Sequence, residues 1–373
     1  YPFSPIGNNN FFLTGSVTEK SVVILKYTNS EANSIKDTFL SKKACFYFSG
    51  KINGTSKATL SIYNLKGELR GEAYFFLSMS KIHVKTNNPG KSIQISGSAV
   101  NDENENLNIG LSAIDKRIDS VSSIYNKSES QALLDPLNSF DSKRTIDSLQ
   151  KARILLRKKF AASHSNSFLS PEIILFLFKR SEINYADAKR MYGYLSKNVK
   201  ESLYGIELKK YLDIHQNSMV GMPAPPFAKT DINGTEINLS DFKNKNYILL
   251  NYWASYCLPC RKHVPQLKDL YSKYKDQGLK IIAVSWDFDR KACLNAIKED
   301  TTNDWINIHG LSNQQDKDPF LTIYSVSHIP VYILIDPNGI IIDRNEEGDM
   351  NKLEQKLKEV FSSPDSDPGI FQH

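Results

Sequence analysis

Hydrophobic and polar positions follow three patterns along this chain, one after another. From about residue 11 to 110 the apolar residues come in short runs broken by turn residues. The runs are Ser21–Tyr27, Cys45–Phe48 ahead of Ser49-Gly50, Thr59–Tyr63, and Ile93–Ile95 ahead of Gly97-Ser98. Asn64–Gly67 and Asn87–Gly90 punctuate them. Strands at this spacing predict a small antiparallel β-sandwich over residues 1–112.

Near residue 112 the period becomes helical. Ile146, Leu149, Ala152, Leu155, Leu156 and Phe160 recur at helical spacing. Ser170-Pro171-Glu172 predicts a helix start, with Ser170 as N-cap and Pro171 in the first position. Tyr185–Leu212 carries another amphipathic pattern, so residues 113–217 read as a helical middle region.

The third pattern opens with Met222–Phe227, a stiff proline-rich stretch that begins a domain without a Gly/Ser linker. Asp231–Gly234 is a turn. Strands and helices then alternate. Tyr247–Trp253 and Leu279–Trp286 are continuous apolar strands, followed by Val331–Ile335. Cys257–Gly278, Asp289–Glu299 and Lys352–Phe361 are helices, and Pro337–Gly339 turns the chain into Ile340–Asp343. Pro265 predicts a kink in the first of these helices. The pattern predicts an α/β sheet flanked by helices over residues 218–373, and an α+β multidomain chain as a whole.

Length and composition narrow the class. At 373 residues, with 40% hydrophobic and 24% charged, the chain excludes collagen-like, mucin-like and largely disordered proteins. The net charge of +6 is divided: residues 1–220 hold 30 basic and 20 acidic side chains, and residues 221–373 hold 17 and 21. That basic excess reads as a solvated surface, and without a concentrated basic face no nucleic-acid partner is expected. The longest apolar run, Ile173–Phe178, falls far short of the ~20 residues of a membrane helix, so no transmembrane segment is expected. The chain opens on Tyr1 without a charged-then-apolar leader, as a processed chain would, so its start does not bear on export.

The candidate chemistry lies in the cysteines. Four are too few for a disulfide scaffold. Cys257-Leu-Pro-Cys260 lacks the second pair that a zinc site would need, so a redox pair is the leading reading. The attacking species is the thiolate, and a free cysteine has a pKa of about 8.5. At a helix N-terminus the unpaired N–H groups and the dipole favour that thiolate. Cys257 is therefore the nucleophile, and Cys260, one turn on, resolves the mixed disulfide. Pro259 stiffens the first turn. Trp253 and Tyr256 flank the dithiol as apolar contacts, Trp253 reading equally as packing. Cys45 and Cys293 read as small buried hydrophobes. His83, His164, His215, His309 and His328 have no metal-ligand spacing, so no metal is expected. No nicotinamide or flavin fingerprint is present, so the redox-active pair needs no separate cofactor.

Six segments in order carry a resemblance: Ala224–Phe227, Leu239–Phe242, Asn251–Trp253, Cys257–Arg261, Ile329-Pro330 and Leu334–Gly339. They resemble the ResA/TlpA branch of thioredoxin-like thiol-disulfide oxidoreductases, in the AhpC/TSA-Redoxin superfamily. The resemblance implies a thioredoxin fold and reduction of protein disulfides in the periplasm or cell envelope. It also implies protein thiol/disulfide substrates, a membrane thiol reductant and a lipid anchor in the full-length precursor. It further implies a cis bond before Pro330, facing the dithiol. That would leave the Ile329 backbone free to pair with a bound peptide strand. Asn251 stands where thioredoxin itself has a buried Asp. His263 stands where relatives in the branch carry Glu, so the role of that Glu does not transfer. His263 reads as a surface or packing histidine or, if partly buried near the dithiol, as a residue that tunes thiolate formation or passes a proton near neutral pH. Phe11–Gly15, Phe46–Gly50 and Ile95–Ser98 resemble a DUF4369-like β-domain found ahead of this module in Bacteroidetes proteins.

Two other functions compete. A thiol peroxidase shares the Pro-Pro-Phe start but needs Thr or Ser three residues before its cysteine, where Ala254 stands. A client-binding scaffold would use the β-domain and helices, with the redox centre secondary.

Overall fold

The computed structural model describes residues 9–17, 19–41, 45–86, 93–129, 136–310 and 322–362. The turn expected at Asn87–Gly90 lies outside them. The chain divides into two compact units, Tyr1–Lys210 and Tyr211–His373.

The first unit begins with eight strands: β1 (Asn10–Ser16), β2 (Ser21–Thr28), β3 (Ser34–Leu40), β4 (Cys45–Lys51), β5 (Thr55–Asn64), β6 (Leu69–Ser78), β7 (Lys81–Thr86) and β8 (Ile93–Ser96). They form two four-stranded sheets, in the orders β4-β1-β7-β8 and β3-β2-β5-β6. One core joins them, with Phe11, Leu13, Phe46 and Ile82 from the first sheet and Val23, Leu25, Leu60 and Leu77 from the second. This is the expected sandwich with one difference: β1 and β7 run parallel, while every other pair in the two sheets is antiparallel. β7 is far from β1 in sequence, so no hairpin dictates its direction.

Period-two alternation on β4 turns Phe46 and Phe48 inward and Cys45 and Tyr47 outward. Cys45 is therefore exposed rather than a buried hydrophobe.

Helices follow: α1 (Ala99–Glu129), α2 (Pro136–Ser163), α3 (Ser170–Lys179), α4 (Tyr185–Tyr194), α5 (Lys197–Lys200) and α6 (Leu203–Gln216), the last reaching into the second unit. Helix begins at Ala99, well before residue 113. Asn101 ties α1 to β6, its side chain accepting from Phe76 N–H and donating to Phe76 O at 2.8 Å each. Ser170 is not the N-cap of α3. That position is Leu169, and the Ser170 hydroxyl donates instead to His164 O at 2.7 Å.

The second unit is a five-stranded sheet between two cores. Two short strands, β9 (Ala228–Thr230) and β10 (Glu236–Asn238), pair across the Asp231–Gly234 turn. The sheet comprises β11 (Tyr247–Trp253), β12 (Leu279–Ser285), β13 (Ile306–His309), β14 (Val331–Ile335) and β15 (Ile341–Asn345), in the order β13-β12-β11-β14-β15. β11, β12 and β13 are parallel, and β14 and β15 antiparallel. Ile248, Leu250 and Tyr252 point to one face and Leu249 and Trp253 to the other. Both faces are covered, which is why β11 reads as an unbroken apolar run. Three helices complete the unit: α7 (Leu258–Tyr274), α8 (Arg290–Glu299) and α9 (Met350–Ser362). α7 runs through Pro265 as a single helix. Its chain leaves through Gly278, whose φ of 99° is left-handed and suits glycine. Among the described residues no helix is long and apolar enough to cross a membrane.

Candidate active site

β11 ends at Trp253, and the loop Ala254–Tyr256 hands the chain to α7. Cys257 is the N-cap of α7, in extended conformation. Its sulfur accepts from Cys260 N–H at 3.2 Å, which satisfies one orphan donor of the first turn. Pro259 occupies that turn, where a missing N–H costs nothing. Cys257 and Cys260 are joined by a disulfide across a Cα–Cα distance of 5.3 Å. They are 7% and 3% exposed, so both cysteines are buried.

Two charged side chains hold the loop from either side of its backbone. Asp287, just past β12, accepts from Ser255 N–H at 2.9 Å and from the Ser255 hydroxyl at 2.5 Å. It also accepts from the Ser285 hydroxyl at 2.7 Å. On the other side, Arg261 Nη1 donates to Ser255 O at 3.3 Å. The rest of that guanidinium pairs with Asp300 and Glu299.

Around the buried sulfurs lies an exposed apolar rim. Tyr256 and Leu258 are 66% and 64% exposed. Ile329 packs against the cluster that contains both cysteines, and its peptide bond to Pro330 is cis, as expected. Gly348, at φ 65°, lies beside that proline, and a Cβ there would meet Pro330 Cγ at 2.7 Å. Trp253 does not join this rim. At 5% exposed it packs in the core with Val264 and Leu267, so of its two expected roles the structure gives it packing. The continuous burial of β11 carries it inside.

His263, one turn beyond Cys260, is half-buried and hydrogen-bonds through Nδ1 to the Tyr332 hydroxyl at 2.9 Å. Burial pushes its pKa below the ordinary histidine value and pushes that of the Tyr332 phenol well up. Tyr332 on β14 lies opposite Asn251 on β11 in the ladder. The fold thus brings together two of the expected residues, His263 and Asn251, through a tyrosine the sequence did not single out. His328 bonds instead to Glu346 O at 2.6 Å. Asp287, Ser255, Arg261 and Gly348 were also not singled out. The one signal for Asp287 was its place at the carboxyl end of a parallel strand, where α/β sheets put their sites.

Comparison with known proteins is concentrated on the second unit. Residues 220–344 match the AhpC/TSA family, and residues 7–104 match a domain of unknown function, DUF4369. The thiol-disulfide oxidoreductases ResA of Bacillus cereus and Bacillus thuringiensis subsp. konkukian are each 34% identical over 152 residues, covering 40% of this chain and 83% of theirs. The thioredoxin domain of a thiol-disulfide oxidoreductase from Bacteroides vulgatus is 32% identical over 37% of this chain and 98% of that one, with a TM-score of 0.33.

Proposed function

The chain belongs to the ResA family of thiol-disulfide oxidoreductases, and we propose that it reduces disulfides of protein clients in the cell envelope through Cys257 and Cys260. Its redox module is residues 218–373, with the β-sandwich and the helical region, which begins at Ala99, ahead of it.

The observation that carries this reading is the placement of Cys257. It caps α7 with its sulfur toward the helix N-terminus, under an exposed rim of Tyr256, Leu258 and Pro259. Helix position favours its thiolate. An open apolar rim suits a polypeptide better than a small molecule, and a cavity of about 390 Å³ in this unit is lined elsewhere, by Lys268, Tyr271 and Trp305.

In the reaction, the Cys257 thiolate attacks one sulfur of a client disulfide. That bond breaks, the leaving thiolate takes a proton, and a mixed disulfide forms. The Cys260 thiolate then attacks Cys257 Sγ, releasing the second client thiol and closing the Cys257–Cys260 bond. Two electrons pass to the client. A dithiol donor at the membrane restores the reduced pair. Tyr256, Pro259, Ile329 and Pro330 contact the client, the Ile329 backbone pairing with its extended chain. His263, with Tyr332 and Asn251, tunes proton transfer to and from the pair.

The test is trapping. The full chain with Cys260→Ser is expected to accumulate client proteins disulfide-bonded to Cys257, released by dithiothreitol. If the same partners are retained by Cys257→Ser, the scaffold reading replaces this one.

A further inference from the structure

Asp287 is 2% exposed, and its carboxylate accepts three donors: Ser255 N–H, the Ser255 hydroxyl and the Ser285 hydroxyl. An ionised carboxylate is an acceptor only, and every partner of this one is a donor. Among the described residues no cation pairs with it. Arg261, which donates to Ser255 O in the same loop, is held by Asp300 and Glu299. The protein therefore places a buried acidic group, met by neutral donors, against Ser255, which stands two residues before the nucleophile.

We propose that Asp287 is a positioning residue that fixes the dithiol loop through Ser255 and, by its charge, holds the Cys257–Cys260 pair at a more reducing potential. This rests on the thiol–disulfide exchange reading above. In a water-poor interior, unit charges a few ångströms apart interact strongly, and a like charge disfavours the ionised form of its neighbour. The thiolate at Cys257, two residues beyond the Ser255 that Asp287 holds, is the group this charge would oppose. The helix N-terminus favours it, and Asp287 opposes it. The Tyr256 phenol, adjacent to Cys257, is pushed up first by burial and then by Asp287. The Cys293 thiol is pushed up mainly by burial, with Asp287 contributing in the same direction. A less stable thiolate makes the reduced form less stable, and the disulfide harder to reduce.

The experiment equilibrates the full chain with glutathione, blocks free thiols by alkylation and counts them by mass. Two glutathione thiols reduce the Cys257–Cys260 bond and leave as glutathione disulfide, so electrons balance. Asp287→Asn keeps an acceptor toward Ser255 but removes the charge. Its equilibrium is expected to shift about tenfold toward the dithiol, about 30 mV more positive. Ser255→Ala removes a hydroxyl that compensates the charge, and is expected to shift severalfold in the opposite sense. A clamp that acted only on loop structure would move both variants the same way, and that result overturns the proposal. So does an unchanged Asp287→Asn. Should Asp287→Asn not fold, Ser255→Ala decides alone, and no shift or a shift toward the dithiol overturns it. A wild-type pair that never cycles with glutathione defeats the exchange reading itself. Cycling without these shifts defeats only the role of Asp287.

Discussion

Two buried charges of the second unit do similar work with opposite signs. Asp287 holds the loop before Cys257 by accepting from an N–H and two hydroxyls. Arg344, on the edge strand β15, holds the segment before Pro330 by donating. Its guanidinium reaches Tyr324 O at 2.8 Å, Ser218 O at 3.2 Å and Ser325 O at 3.3 Å, and pairs with Glu346 at 2.8 Å. The sign follows from the backbone. Where the loop turns an N–H inward a carboxylate answers it, and where it turns carbonyls inward a cation does. The electrostatic consequence differs. The anion holds Ser255, two residues before a sulfur that must ionise. The cation sits near His215, whose Nδ1 is 3.2 Å from the Ser325 hydroxyl, and helps keep that ring neutral. Loop fixation is common to both centres, and the titration of the nearby group is what separates them.

The largest expected effect comes from breaking the cationic centre. Arg344→Met would leave the carbonyls of Ser218 and Ser325 short of this donor, while Tyr324 O keeps the Ser218 hydroxyl at 3.2 Å. The cost is about 1–3 kcal/mol for each group left unsatisfied. A loss of about 3 kcal/mol or more is expected in urea unfolding. A loss under about 1 kcal/mol would mean that the segment before Pro330 is held by its other contacts, and the parallel with Asp287 would fail.

His215 gives the next test, and its sign can be worked out. Burial first, then Arg344, lowers its pKa to about 4, while Glu346 opposes them. The folded state thus binds this proton less well than the unfolded chain, whose histidine titrates near 6.5. The stabilisation is fully present above about pH 6.5 and is lost as pH falls from there toward 4, on the order of 3 kcal/mol in all. Unfolding measured at pH 7 and pH 4.5 should show most of that fall. His215→Gln should flatten it, and a variant whose pH dependence tracks the wild type would remove His215 from the account.

Much of the catalytic end of this unit was legible in sequence, and little of its support was. β11, β12 and β14 announce themselves because strands buried on both faces are apolar throughout. The dithiol, Pro330 and the turn at Gly339 were readable from local motifs. The partners that hold them are set by register. Trp253 lies opposite Ser285 in the β11–β12 ladder, and two residues further on each strand stand Ser255 and Asp287. No local pattern encodes that pairing. The early start of α1 was hidden for another reason. Its first turns, rich in Asn, Asp and Glu, bury only Val100, Leu107 and Leu111, too sparse a stripe to show as helical period. Cys45 was misplaced because a cysteine's usual burial says nothing about which face of an alternating strand it occupies.

The smallest expected effect sharpens the distinction between charge and hydrogen bond near the dithiol. Tyr332→Phe removes the hydroxyl that meets His263 Nδ1 but removes no charge. The phenyl ring still fills its place in the core beside Leu334 and the two cysteines. A net hydrogen bond contributes about 1 kcal/mol, so stability should fall by about that much. His263 should remain below the ordinary histidine value, because its shift comes from burial and not from the tyrosine. With no charge altered, the glutathione equilibrium of Cys257–Cys260 should stay within about twofold of the wild type, an energy change under about 0.5 kcal/mol. The rate of exchange is a different matter. If His263 passes a proton through Tyr332, the pH profile of Cys257 alkylation should change in Tyr332→Phe while the equilibrium does not. A potential that moves as far as in Asp287→Asn would show that hydrogen bonding alone sets the redox balance, and the contrast between the anionic centre and its neutral neighbour would be lost.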